Sequence, residues 1–201
     1  MWYNLIRLII WSIIFATVYY LVMKKTKITQ KRRIVFLSFL LCLVLGTLSS
    51  LFPIENLFIS FDDPEDVLKY IQGGTIEGVV HGNNSSMFIT ENSKDASISH
   101  FIIPRTDAGY KIPSFFSVQR ILHKQDDISF NLYSVLRTND YYIVGSIVSS
   151  EEISIRDSNN ATLKSSSVKT VDAYLILFFG YIKNYTSEYY LLIDETIVAI
   201  S

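Results

Sequence analysis

The sequence predicts a membrane-anchored α+β protein. Two N-terminal transmembrane helices come first, followed by a mostly β, antiparallel, sandwich-like extracytoplasmic domain with one short helix. Three observations predict this. The first 52 residues hold two long apolar runs separated by a basic loop. All nineteen acids follow Phe52, whereas seven of the eighteen bases precede it. From Thr75 onward, short runs rich in β-branched and aromatic residues alternate with turns of Gly, Asn, Asp and Ser.

The first element is the hairpin, residues 1–52. Residues 8–23 are apolar apart from Ser12 and Thr17, and residues 34–52 carry no charge. About twenty apolar residues cross a hydrocarbon core of about 30 Å. Residues 34–52 meet that length alone. The first run meets it as residues 2–23, with Arg7 snorkelling from inside the outer end. Trp2, Tyr3, Tyr19 and Tyr20 lie near the ends, where aromatic rings favour headgroups. The loop 24–33 carries six Lys or Arg, so it is expected in the cytoplasm with both termini outside, in the cell membrane of a two-span protein. Ser38, Gly46, Thr47, Ser49 and Ser50 are small residues suited to helix packing. Cys42 is the single cysteine, and its neighbours Leu40 and Leu41 do not suit lipid attachment.

Residues 53–201 carry eleven bases against nineteen acids, a formal charge of −8. That argues against nucleic acid as a partner, because its phosphates need a cationic face. With no cysteine, this segment is not a disulfide scaffold.

Residues 53–74 read as a linker and a short capped helix. Asp63 is the N-cap, Pro64 suits the first helical position, and Glu65 and Asp66 complement the helix dipole. Val67, Leu68 and Ile71 form its apolar side, and Gly73-Gly74 ends it. The same acidic run lacks the alternating ligands of a calcium loop, so capping is preferred.

Residues 75–201 form the β-rich domain, as one unit or as two subdomains dividing near 113–127. Strands are expected at 75–81, 86–90 and 97–103, the last stopped by Pro104. In it Ile98, His100 and Ile102 share one face and Phe101 and Ile103 the other. Residues 115–123 suit a strand or a short helix. Residues 128–137 and 141–148 read as a hairpin around Thr138-Asn139-Asp140. A short strand at Ile153 and Ile155 precedes a serine-rich polar loop at 161–169. Residues 173–182 are apolar on both faces, as in a central buried strand. Strands at 188–193 and 196–200 close the sheet, with an immunoglobulin-like sandwich as one option.

Asp63-Pro64-Glu65-Asp66 with Tyr70, Gly78-Val79-Val80, Ile102-Ile103-Pro104-Arg105-Thr106 and Gly109-Tyr110-Lys111-Ile112 together resemble a loosely defined group of uncharacterised, membrane-anchored proteins of Gram-positive bacteria. The resemblance covers about a quarter of the chain. It implies no activity and no site.

No catalytic, cofactor-binding or metal residue stands out. His81, His100 and His123 occur singly, although His81 and His100 fall on nearby strands and could meet across the sheet. The chain has no nucleophile elbow and no P-loop. Paired carboxylates at Asp126-Asp127, Glu151-Glu152 and Asp194-Glu195 sit at turns, where solvation is the default. Asn83, Asn84, Asn160 and Asn184 begin N-x-Ser/Thr patterns in polar turns. Tyr133, Tyr141, Tyr142, Tyr181, Tyr185, Tyr189 and Tyr190 crowd the second half, as strand packing or as a binding face.

The expected function is therefore that of a non-catalytic binding or interaction module without a cofactor. Its expected partners are the lipid bilayer and a membrane or envelope protein. The alternative is an accessory or structural subunit of a membrane protein complex; an envelope enzyme is the third option.

Overall fold

The computed structural model describes residues 2–25, 28–72, 75–91, 98–125, 128–151, 153–159, 161–169, 173–183, 185–186, 188–194 and 196–199. Two helices, α1 (Trp2–Lys25) and α2 (Ile28–Leu51), form a hairpin. A 3-10 turn (Ile54–Leu57) and α3 (Pro64–Ile71) lead into the strands, twelve among the described residues.

The strands build three sheets. The first has the order β1 (Thr75–His81), β2 (Ser85–Glu91), β3 (Ile98–Thr106) and β4 (Gly109–Tyr110). The second runs β5 (Val118–Gln125), β6 (Ile128–Val135), β7 (Tyr141–Ser149), β10 (Tyr174–Ile182) and β9 (Lys164–Lys169). The third is β12 (Thr196–Ala199), β11 (Tyr190–Ile193) and β8 (Ile155–Asp157). All the pairings are antiparallel.

The five-stranded sheet is the middle layer. On one face, Tyr133, Val135, Tyr142, Val144 and Phe179 pack against Met87, Ile89 and Ile102 of the first sheet. On the other, Phe130, Leu132, Ile143, Phe178 and Ile182 pack against Leu191, Ile193, Val198 and Tyr189. β10 is therefore apolar on both faces because both are covered, as its sequence suggested. The far side of the first sheet takes α3, where Val67 and Leu68 meet Phe88, Ile103 and Ile112.

Several expectations need correction. The membrane-anchored fold with two transmembrane helices is one: among the described residues, no helix is long and apolar enough to cross a membrane. Charge and polarity shorten the apolar runs. Arg7 lies inside α1 and leaves sixteen uncharged residues up to Met23, a rise of roughly 24 Å. Lys31, Arg32 and Arg33 occupy the start of α2, and its last six residues are Gly46-Thr47-Leu48-Ser49-Ser50-Leu51. The eighteen uncharged residues 34–51, that polar end included, rise roughly 27 Å, against the ~30 Å of a hydrocarbon core. The two-span placement in a cell membrane, with both termini outside, falls with the absence of a spanning helix among the described residues. Arg7 does not snorkel outward either; it is buried against Glu55.

β3 continues through Pro104 to Thr106 rather than stopping. Pro104 sits opposite Ser85, the first residue of β2, and its carbonyl still accepts from the Lys111 N–H at 3.0 Å. Near a strand end, one missing donor is tolerated. The serine-rich segment 161–169 contains β9 rather than a loop. As an edge strand paired only to β10, it is held by its backbone and leaves Ser165, Ser166 and Ser167 exposed. Residues 118–125 take the strand option. α3 ends at Gln72, whose N–H reaches the Leu68 carbonyl; Gly73 and Gly74 lie outside the described residues.

Candidate functional site

Among the described residues, the histidines and the paired carboxylates do not converge. His81 is exposed at the end of β1, with Nδ1 2.9 Å from the Ser86 hydroxyl. His100 is half-buried in β3, its ring 4.7 Å from that of Tyr133. The two do not meet, because β2 lies between their strands. Burial holds the His100 pKa below the usual histidine value, and the Arg120 charge adds to the shift. The His123 side chain and residues Asp126, Asp127, Glu152, Glu195, Asn160 and Asn184 lie outside the described residues. Glu151 is exposed, and Asp194 accepts from the Ser154 N–H at 2.9 Å. Asp63 caps α3, accepting from the Glu65 N–H at 2.8 Å, while Lys69 pairs with Glu65 and Asp66. Among the described residues, no group of three His, Cys, Asp or Glu is placed to hold a metal ion.

The most unusual surface is the hairpin. Phe36, Leu37, Phe39, Leu40 and Leu41 are all exposed, as are Leu43, Val44 and Leu45. Consecutive helical positions point about 100° apart, so this exposure runs round α2 rather than along one stripe. On α1, Ile13, Tyr20 and Leu21 are exposed as well. The helices meet through contacts such as Phe15 with Phe39, edge-on at 6.1 Å. An apolar groove of about 370 Å³ runs beside this contact, lined by Trp11, Ser12, Phe15, Phe39, Cys42 and Leu43. Lys24 and Arg33 are exposed toward the tip.

The joint to the β domain is polar and specific. Arg7 Nε donates to Glu55 Oε1 at 2.9 Å and Nη2 to Oε2 at 3.3 Å, with both side chains buried. Lys111 Nζ donates to the carbonyls of Asn56 and Ile59, and the Asn56 amide brackets Ile112 through both its backbone groups. The Phe115 N–H reaches the Leu51 carbonyl at the end of α2, and Phe116 stacks on Phe52 at 5.1 Å. Leu57, Phe58 and Phe115 extend the apolar surface beyond that joint.

The tyrosines divide between packing and exposure. Tyr133, Tyr142 and Tyr189 are buried, whereas Tyr141, Tyr181, Tyr185 and Tyr190 are half-buried. Tyr142 and Tyr181 gather at a buried carboxylate that the sequence presented only as part of a turn. Asp140 accepts from the backbone N–H groups of Asn83 and Asn84, from the Ser85 hydroxyl and from the Tyr181 hydroxyl. Ser85 also touches the Tyr142 hydroxyl at 2.9 Å. Burial raises the Tyr142 and Tyr181 pKa values, with Asp140 adding to both, so these phenols stay protonated. A second buried carboxylate, Asp157, takes the Tyr189 hydroxyl at 2.8 Å and the N–H groups of Asn159 and Ala161. The only forewarning of either hub was a short acidic residue beside turn-forming neighbours.

Comparison with known proteins finds no matching family model, no similar curated protein and no similar solved structure.

Proposed function

We propose that this chain is a non-catalytic interaction module, an accessory subunit that docks through its helical hairpin onto a helical partner protein. The observation that carries the reading is the exposure of large apolar side chains all round α2, beside a β domain whose layers pack against one another. Contiguous apolar surface of this extent marks an interaction site. Fully burying one such side chain is worth ~1.5–3 kcal/mol, so a partner with a matching surface gains strongly. The 370 Å³ groove between the helices suits an inserted side chain from a partner helix. The bases at the tip, among them exposed Lys24 and Arg33, favour a partner with an acidic rim there.

Photo-crosslinking in cells tests the reading. A photoreactive residue at Phe36, Leu40 or Leu41 is expected to label one protein in fixed ratio, and the same probe at Ser166 on β9 is not. Labelling of lipid alone from the hairpin positions, or of many proteins in no fixed ratio, overturns the subunit reading.

A further inference from the structure

We infer that one end of the middle sheet carries a binding site for a saccharide chain, on residues separate from the hairpin surface. The site is a trough of about 420 Å³ lined by Asn83, Asn139, Tyr141, Tyr181, Lys183 and Tyr185. It lies where the β1–β2 turn, the β6–β7 loop and the end of β10 come together. A second depression of about 240 Å³, reaching Arg105 and Asp107, shares Asn83 with it. Asn83 thus borders both depressions, and a chain of several sugar units has polar surface on each side of that residue to contact.

The lining matches the two-sided chemistry of a sugar ring, which offers an apolar C–H face and a hydroxyl edge. Tyr141 and Tyr185 stack on each other at 4.8 Å with 29° between their planes, and Tyr185 leans on Tyr189 at 5.7 Å. Tyr141 and Tyr185 thus give the trough an aromatic wall, with the buried Tyr189 backing it from the core side. The Asn83 and Asn139 amides both donate and accept, as vicinal hydroxyls require. Lys183 and Arg105 stand against one carboxylate in the lining, Asp107, so the trough also accommodates an isolated acidic group on the chain.

The walls are fixed before any ligand arrives. Asp140 ties the Asn83 backbone to the Tyr181 hydroxyl across the trough, at 3.1 and 3.2 Å. Asn159 donates to the Lys183 carbonyl at 2.9 Å, and Asp157 anchors Tyr189 behind Tyr185. A preordered wall lowers the ordering cost of binding. Aromatic rings also stack on nucleobases. The charge of −8 on residues 53–201 repels a phosphate backbone, however, while it does not oppose a neutral polyhydroxylated chain.

The test uses the full-length chain with a mild detergent covering the hairpin, titrated by calorimetry and saturation-transfer NMR. The probes are a neutral β-1,4-linked N-acetylglucosamine tetramer, a tetragalacturonate and a thymidine tetranucleotide. Submillimolar binding of at least one saccharide is expected, weakened at least tenfold in both Tyr185→Ala and Asn139→Ala. If the tetragalacturonate binds, Lys183→Ala is expected to weaken it more than the neutral tetramer. Asn139 and Lys183 are exposed, so their variants leave the core intact, and a thermal melt of each variant checks that the fold persists. Binding of neither saccharide at millimolar concentration overturns the inference. Saccharide binding indifferent to Asn139→Ala, or binding of the tetranucleotide alone, overturns it too.

Discussion

Arg7 and Glu55 form a buried, two-pronged ion pair that joins α1 to the 3-10 turn at the entry of the β domain, 48 residues away in sequence. Buried charges are costly unless their partner is present. Removing one therefore hurts more than removing both. Glu55→Leu or Arg7→Met alone is expected to destabilise the joint by about 3–5 kcal/mol. The double variant is expected to recover most of that loss. Hydrogen exchange of the Glu55–Ile59 amides and a thermal melt of all four proteins measure the coupling; strict additivity would mean that the pair does not carry the joint.

Gly145 on β7 is flanked in register by Phe130 on β6 and Phe178 on β10. A Cβ built there collides with the Phe178 ring and lies 2.6 Å from the Phe130 Cβ. Both aromatic residues belong to the buried core beneath the third sheet. The glycine makes room for two large rings on neighbouring strands. Gly145→Ala is expected to cost about 1–3 kcal/mol through overpacking, read as a lowered denaturation midpoint at unchanged slope. A neutral result would show that Phe178 swings aside without loss.

These two sites show what was legible in the sequence and what was not. The β6–β7 hairpin was legible because Ile128–Val135 and Tyr141–Ser149 are apolar-rich runs with a polar junction between them. β10 was legible as a strand buried on both faces because its apolar run is broken only by Gly180. β9 was not, since an edge strand held by its backbone needs no apolar side chains and Lys164–Lys169 shows none of the expected alternation. Residues 2–6 and 46–52 look like extensions of the apolar runs, but Arg7 interrupts the first run and the second ends in the polar stretch Gly46-Thr47-Leu48-Ser49-Ser50. Glu55 could not be matched to Arg7, nor Asp140 to Asn83, because each pairing depends on tertiary approach between segments far apart in the chain.

His100 gives the β domain a pH dependence. Burial and the Arg120 charge lower its pKa in the folded chain, while in the unfolded chain it titrates near 6.5. The folded state thus binds fewer protons than the unfolded one below neutrality, and stability falls as pH falls. The contribution is fully present above about pH 6.5 and is lost on acidification through the folded pKa. Apart from Arg120, the aromatic neighbour is Tyr133, whose own pKa is raised by burial and which stays neutral in this window. His100→Gln is expected to flatten the drop in melting temperature between pH 7 and pH 5. An unchanged slope would assign the acid sensitivity to the carboxylates.

Asp157 and Tyr189 close the interface between the middle and third sheets. The Tyr189 hydroxyl donates to Asp157 Oδ2 at 2.8 Å, while Oδ1 takes the N–H groups of Asn159 and Ala161. Both residues are nearly without solvent exposure, so water does not readily replace a lost donor. Tyr189→Phe keeps the ring in its core cluster but leaves one carboxylate oxygen without that donor. The expected cost is about 1–3 kcal/mol. Asp157→Asn keeps an acceptor for the two backbone groups and costs less at the turn, yet its amide must turn its oxygen toward them. A Tyr189→Phe, Asp157→Asn double variant therefore separates the two roles. If the hydroxyl serves only to satisfy the carboxylate, adding Tyr189→Phe to the Asp157→Asn variant should cost less than adding it to the parent chain. Equal costs on the two backgrounds would mean that the phenol is held by its packing between Tyr185 and the β11 core rather than by the charge beneath it.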